Sequence, residues 1–205
     1  MSDLRIPRRA FLKAASSVGI TAGVAGCSRD EPKATTNIAQ PSMGEGIQVD
    51  VFADFFSPAS QSFYLNTVKQ LESEYVAVDQ PAIELRHFDF VLPADRFSRP
   101  AANGGWFVQQ NTGASYFWQY MDTVFRTQND LTRNNLVIAA SDYGQQPTDE
   151  ARTAIEASEY ERKIRENIRT GEERGVTSLP AVFVAGKQIG SPSFERVAEA
   201  IEQTQ

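Results

Sequence analysis

A strand–helix–strand unit of about forty residues constrains the fold of this chain more than any other feature. Residues 47–53 (IQVDVFA) alternate and are rich in β-branched side chains, which is typical of a strand. Ser57 and Pro58 then form a helix start, with serine at the N-cap and proline at the first helical position. A second strand is predicted over 82–88 (AIELRHF). Two strands joined by one helix favour a parallel pair with a right-handed crossover.

The next long segment, residues 99 to about 175, has the pattern of a block of helices. Within it, Thr132 is expected to cap a helix that stops at Gly144. Ser158 and Glu161 have the spacing of a capping box, which predicts that another helix begins there.

The C-terminal part predicts a hairpin and a last helix. Gly175 is expected to end the helical block, and the run 181–184 (AVFV) indicates a strand. A turn around Gly186 and a short strand at 188–189 would complete a β-hairpin, and Ser193 is expected to cap the final helix. The order is therefore β-α-β, a helical block, then β-β-α. This order predicts an α/β fold in which helices cover one sheet and a helical insertion occupies about 99–175.

The first 26 residues have the layout of an export signal. Arg8 and Arg9 precede a modestly apolar run, 14–25, which is too short to span a bilayer as a helix. The string RRAFLK is similar to a twin-arginine signal, and VAGC at 24–27 resembles a lipobox, in which the cysteine carries a lipid. We therefore expect cleavage before Cys27, a lipid on its thiol, and anchoring on the outer face of the cytoplasmic membrane.

The alternative is an amphipathic helix with an incidental cysteine, which would not explain both motifs in register. Residues 27–46 contain proline, glycine and small polar side chains with little apolar periodicity, so they are predicted to be a flexible tether. The folded domain is then expected over 47–205.

Composition excludes several classes of function. The chain has 205 residues and a formal net charge of −6, which argues against a nucleic-acid partner held by a basic face. Cys27 is the one cysteine and His87 the one histidine. A disulfide scaffold, a Cys-x-x-Cys redox pair, a zinc cluster and a multi-histidine metal site are all excluded. No metal is therefore expected.

Three stretches resemble the DsbA-like branch of the thioredoxin family of thiol:disulfide oxidoreductases. They are residues 51–60 (VFADFFSPAS), 85–88 (LRHF) and 175–187 (GVTSLPAVFVAGK), and they occur in the family's order. Residues 117–132 are similar to the family's helical insertion. The resemblance implies a thioredoxin-like fold, with a central mixed sheet flanked by helices and a DsbA-type insertion.

The departure from the family falls on the reactive atoms. Ser57 and Ser60 stand where the family has the cysteines of Cys-Pro-x-Cys, with Pro58 and Ala59 between them. In the family a thiolate at the helix N-terminus attacks a substrate disulfide, and a second thiol resolves the mixed disulfide. A serine hydroxyl forms no disulfide, so the chain is predicted to be inactive in thiol exchange. Asp54 matches the family's acidic residue beneath the motif and is interpreted as a hydrogen-bonded acid near the helix start.

The string Ser178-Leu179-Pro180 matches the family's cis-proline loop. In the family this loop exposes backbone groups that pair with a substrate peptide like an added strand. That contact needs no sulfur, so these three residues are the candidate substrate-binding residues. The predicted function is binding of extracytoplasmic peptide or protein clients, as a chaperone-like or accessory lipoprotein without a cofactor.

Three alternatives remain open. Kappa-class glutathione transferases and the related chromene-carboxylate isomerases have Ser-Pro at the same helix start, so Ser57 would bind the thiolate of a glutathione-like cofactor. A Ser–His hydrolase would use His87, the one imidazole, as its base. His87 shares a strand face with apolar residues, however, which favours a core-edge role. A purely structural lipoprotein is the third alternative.

Overall fold

The structure is a computed structural model that describes residues 38–79, 82–91 and 96–205. The predicted signal peptide over 1–26, Cys27 and the tether up to residue 37 lie outside the described residues. Within the described part, no helix is both long and apolar enough to cross a membrane.

Five strands form one mixed sheet in the order β1-β3-β2-β4-β5. The central strand β2 pairs in parallel with β3, with Val49 opposite Leu85, as the strand–helix–strand pattern predicts. It pairs antiparallel with β4, where Phe52 lies opposite Ala181. β4 and β5 form the predicted hairpin. The bounds are β1 Ser42–Gly44, β2 Ile47–Ala53, β3 Ile83–Asp89, β4 Ala181–Val184 and β5 Lys187–Ile189.

The first strand corrects the predicted tether, which extended to residue 46. Residues Ser42–Gly44 pair antiparallel with β3, and the carbonyl of Pro41 accepts a hydrogen bond from the His87 N–H. Gly44 and Gly46 have φ of 79° and 116°, a backbone conformation that favours glycine and that turns the chain into β2. The strand forms because the edge of β3 is otherwise unpaired. The sequence does not predict it, because so short a segment shows no hydrophobic periodicity.

Seven helices accompany the sheet in the described residues. Helix α1 spans residues 58–76 as four consecutive segments, namely α-helical Pro58–Phe63, π-helical Tyr64–Val68, α-helical Lys69–Leu71 and π-helical Glu72–Val76. The insertion contributes α2 Ser98–Thr112, α3 Ala114–Arg126, α4 Arg133–Gly144, α5 Thr148–Glu156 and α6 Glu161–Glu173. A 3₁₀ turn, Gln128–Asp130, connects α3 to α4, and α7 is Phe194–Glu202.

Most of the predicted helix and turn signals are confirmed. The side chains of Thr132 and Ser193 accept hydrogen bonds from backbone N–H groups in the first turns of α4 and α7. Gly175 follows α6 with φ of 78° and ends that helix. Ala185 and Gly186 both have positive φ, as the tight turn of a hairpin requires.

The predicted capping box at Ser158 is wrong. Ser158 lies outside the helix with φ of 53°, and α6 is preceded by Tyr160. The backbone N–H of Tyr160 donates to the side-chain oxygen of buried Asn103 at 2.9 Å, and the Glu161 carboxylate pairs with Arg99 and Arg165. A partner from α2 therefore satisfies the helix start that a local cap was expected to satisfy.

The sheet and the insertion share one hydrophobic core. Val49 and Val51 of β2 belong to the same buried cluster as Trp106, Phe117 and Phe125 of the insertion. The opposite face of β2 packs a smaller cluster; its buried members are Phe52, Phe88, Val176, Ala181 and Phe183.

Asp50 lies on the same side of β2 as the smaller cluster and is almost fully buried. Its carboxylate accepts from Arg86 Nε at 2.6 Å and from Arg174 Nη1 at 2.7 Å. The hydrogen bond to Asp50 raises the pKa of Arg86 above its usual value. Each of its two carboxylate oxygens therefore meets a cationic side chain, so the buried negative charge is paired.

Candidate functional site

The strand register brings the two predicted site segments to one edge of the sheet. Strand β2 ends at Ala53 and leads directly into residues 54–60. Strand β4 begins at Ala181, opposite Phe52, so the loop that precedes it lies beside the end of β2. The degenerate motif, residues 57–60, and the proline loop, residues 178–180, therefore adjoin, although about 120 residues separate them in sequence.

Ser57 is the N-cap of α1. Its side-chain oxygen accepts a hydrogen bond from the Ser60 N–H at 3.2 Å, and Pro58 occupies the first helical turn. The residue is half-buried and has extended backbone angles, φ −80° and ψ 120°. A side chain at this position faces the positive end of the helix, where backbone N–H groups favour a negatively polarised atom.

Ser60 lies behind Ser57 and is 1% exposed. Its hydroxyl oxygen accepts from the Asp54 N–H at 3.3 Å. Both serine oxygens of the motif are therefore engaged within the 54–60 segment.

Asp54 is buried at the end of β2. One carboxylate oxygen accepts from the Phe56 N–H at 2.8 Å and from the Ser98 hydroxyl at 2.6 Å. Ser98 is the first residue of α2, so the acid links the motif to the insertion. A carboxylate held by two donors is suited to fixing this loop in place.

The peptide bond between Leu179 and Pro180 is cis, as the loop sequence predicted. Ser178 is exposed, whereas Leu179 and Pro180 are half-buried. Leu179 packs against the smaller core cluster. Among the described residues, no hydrogen bond uses the backbone of Ser178 or Leu179.

Residues 46–203 match the family model described as thioredoxin. The chain belongs to the thioredoxin family. Among curated proteins, none matches the sequence.

Solved structures of DsbA-type proteins share this thioredoxin-family fold. BdbD from Bacillus subtilis superposes with a TM-score of 0.73 at 17% identity, over 80% of this chain and 91% of that one. DsbA from Chlamydia trachomatis superposes with a TM-score of 0.70 at 17% identity, over 80% of this chain and 89% of that one. MdbA, a thiol-disulfide oxidoreductase from Corynebacterium diphtheriae, superposes with a TM-score of 0.61 at 17% identity, over 78% of this chain and 84% of that one. The resemblance to the DsbA-like branch and the thioredoxin-like fold class are therefore confirmed.

In this thioredoxin-family chain His87 belongs to a buried polar network. Its Nε2 lies 3.0 Å from the carboxylate of Asp89, which also accepts from the Trp106 indole N–H at 2.7 Å. The rings of Phe55 and Phe117 lie 5.5 Å from the imidazole. Within the described part, no hydrogen bond joins His87 to Ser57 or Ser60, so the Ser–His dyad that a hydrolase needs is not formed.

A second contact between the motif and the insertion comes from Gln128. Its side-chain amide donates to the carbonyls of Phe55 at 2.7 Å and Ser57 at 3.4 Å. Neither Gln128 nor Asp89 was among the site residues predicted from the sequence. Period-two alternation along β3 places Asp89 on the face of His87, so a signal for Asp89 was present. Gln128 carries no such signal, because its partners are more than 70 residues away.

The described residues hold no group of three or more His, Cys, Asp or Glu side chains arranged to bind a metal ion. The site consists of two hydroxyls, one hydrogen-bonded acid and a loop in which the backbone of Ser178 and Leu179 forms no hydrogen bond to any described residue.

Proposed function

We propose that this DsbA-like member of the thioredoxin family has no thiol–disulfide exchange activity and binds peptide or protein clients outside the cytoplasm. The observation that carries the proposal is the environment of Ser57 and Ser60, whose oxygens accept backbone hydrogen bonds where the family has two reactive sulfurs. Disulfide exchange proceeds through a thiolate and a mixed disulfide. Neither can form on a hydroxyl, and Cys27, the one cysteine, lies outside the domain.

Client binding is supported by the loop before β4. Ser178 is exposed, and no hydrogen bond within the described residues uses the backbone of Ser178 or Leu179. An extended peptide can therefore pair with these groups as an added strand. The half-buried side chain of Leu179 anchors the loop to the smaller core cluster, which holds the backbone in position for that pairing.

Replacing Ser178 tests this pairing. Ser178→Pro removes the backbone N–H, whereas the matched control Ser178→Ala keeps it. The probe is a fluorescently labelled, cysteine-free, β-branched 12-residue peptide, and anisotropy measures its affinity for the full chain. We expect Ser178→Pro to weaken binding at least about tenfold and Ser178→Ala to change it less than about twofold. Equal affinity of the two variants would exclude backbone pairing at this loop.

Anchoring is proposed from the N-terminal motifs. The twin-arginine string and the lipobox ending in Cys27 support export of the folded domain and attachment to the outer face of the cytoplasmic membrane. Mass spectrometry of the mature protein is expected to find a lipid on an N-terminal Cys27. In cells, Cys27→Ser is expected to abolish the lipid. An unmodified Cys27 behind residues 1–26 would contradict the proposal.

A glutathione-like thiol at Ser57 is the competing ligand. The hydroxyl of Ser57 accepts from Ser60 and keeps its own proton for donation to a thiolate. Isothermal titration with glutathione separates the two functions. We expect no heat of binding at millimolar ligand; saturable binding that Ser57→Ala abolishes would favour the transferase-like alternative.

A further inference from the structure

A groove of about 550 Å³ runs between helices α3 and α4 of the insertion. It contains none of the residues 54–60 or 177–180. It is therefore separate from the loop before β4, residues 177–180, which is proposed to bind clients and is called the client loop below. Its volume falls within the roughly 300–1,000 Å³ that is usual for binding sites. Its apolar lining comprises Tyr116, Val124, Leu131, Ile138, Ala139 and Tyr143.

The groove exposes apolar surface that nothing in the described part covers. Ile138 is 45% exposed, and among the described residues only Val78 is a comparably exposed large apolar side chain. Val124 and Leu131 are buried and form the floor beneath it. An isolated exposed isoleucine is common on protein surfaces, but one that borders an apolar concavity indicates a contact surface.

The groove is also held in shape before any partner arrives. The Thr123 hydroxyl and the Tyr143 phenol are 2.7 Å apart and join α3 to α4. The Thr112 hydroxyl lies 2.9 Å from the carbonyls of both Val108 and Tyr143 and shares its one proton between them, which links α4 to α2. A preformed surface loses little conformational entropy on binding.

The charge of the groove selects its occupant. Asp130 and Asp142 line it, and no lysine or arginine among the described residues does. Neither carboxylate has an ion pair within the described residues, whereas Asp50 and Asp122 each contact two cations. Two unpaired carboxylates beside apolar surface are complementary to apolar side chains flanked by lysine or arginine.

We propose that this groove binds an amphipathic, cationic segment of a partner polypeptide. The same carboxylates disfavour an anionic membrane surface. A second copy is disfavoured because residues 28–205 hold 16 basic and 25 acidic side chains, a net charge of −9. This site is independent of the proposed client loop, although the segment that supplies Asp130 and Leu131 also carries Gln128, which contacts Ser57.

Two labelled peptides test the proposal on the full chain. One is a 12-residue peptide with leucine and lysine at helical spacing, and the other has every lysine replaced by glutamate. We expect the lysine peptide to bind at least about tenfold more tightly at low salt, with the preference falling as salt is added.

Matched variants locate the binding. Ile138→Lys places a cation in the groove at an exposed position. It is expected to lower the affinity for the lysine peptide at least about tenfold. Val78→Lys, the same change at the other exposed apolar residue, is expected to leave affinity within about twofold. Asp130→Asn with Asp142→Asn is expected to weaken binding about fivefold and to reduce its salt dependence. Circular dichroism verifies that each variant is folded.

Three outcomes would overturn the proposal. The first is equal binding of the two peptides, and the second is equal affinity of Ile138→Lys and Val78→Lys. The third is self-association in sedimentation that Ile138→Lys abolishes, because the groove would then hold a second copy. Ser178→Pro is expected to leave this binding unchanged, so failure here is distinguishable from failure of the client loop.

Discussion

The degenerate motif and the insertion groove differ in whether their polar groups are bonded to other groups of the same chain. At the motif, the oxygens of Ser57 and Ser60 and the carboxylate of Asp54 all accept hydrogen bonds from their own chain. In the groove, Asp130 and Asp142 have no ion-pair partner within the described residues, and Ile138 is exposed beside them. Groups satisfied internally stabilise a loop, whereas groups left unpaired on a fixed surface are available to a partner.

The largest effect is expected when two thiols are introduced into the motif. With dithiothreitol supplied as the reductant, insulin is expected to be reduced no faster in the presence of the wild-type chain than in its absence. Ser57→Cys with Ser60→Cys places two thiols in the first turn of α1, where the helix N-terminus stabilises a thiolate. This double variant is expected to exceed background by at least about tenfold, because the second thiol resolves the mixed disulfide.

The single variant Ser57→Cys serves as the control, since it lacks the resolving thiol and is expected to show no turnover. Activity in the wild-type chain at stoichiometric purity would contradict our account of the site.

A second test compares Asp54, which is buried and hydrogen-bonded, with Asp142, which lines the groove. Asp54→Asn keeps one acceptor oxygen but removes the negative charge that strengthens both hydrogen bonds, and it replaces the other buried oxygen by an amide donor. We expect it to lower the free energy of unfolding by about 1–3 kcal/mol. The same change at Asp142, whose carboxylate has no ion pair in the described part, is expected to stay within about 0.5 kcal/mol. Urea denaturation measures both. Equal effects would show that the motif is not the region held together internally.

An effect smaller than that of Asp54→Asn is expected at the helix cap. Ser57→Ala removes the acceptor of the Ser60 N–H and is expected to destabilise the fold by about 1 kcal/mol. Ser57→Asp restores an acceptor and is expected to recover that loss. Ser193→Ala, which removes the corresponding cap of α7, is the matched comparison. Thermal unfolding measures these effects. If Ser57→Ala unfolds at the wild-type temperature while Ser193→Ala unfolds at a lower temperature, Ser57 does not act as a cap.

Much of the fold was predictable because its signals are local. A serine N-cap, a proline in the first turn and a glycine after the last turn act on backbone groups within three or four residues. Ser57, Thr132, Gly175 and Ser193 were therefore assigned correctly. The parallel pairing of β2 and β3 followed from one helix between two strands, which leaves few topologies.

The incorrect predictions depend on partners distant in sequence. The strand Ser42–Gly44 exists because β3, some forty residues later, has an open edge. The start of α6 moved to Tyr160 because Asn103 supplies an acceptor from another helix. Gln128 joins the insertion to the motif through carbonyls that any residue type possesses, so its sequence position carries no signal.

Local sequence is enough to show which residue types occupy the motif and where helices and turns begin, because those depend on residue identity and on neighbours a few positions away. Which acids meet a cationic side chain follows only from the tertiary packing. Asp50 meets Arg174 across 124 residues, whereas Asp142 meets no cation in the described part of the chain. Such pairings arise only when packing brings distant side chains within hydrogen-bond distance, and no local pattern records them.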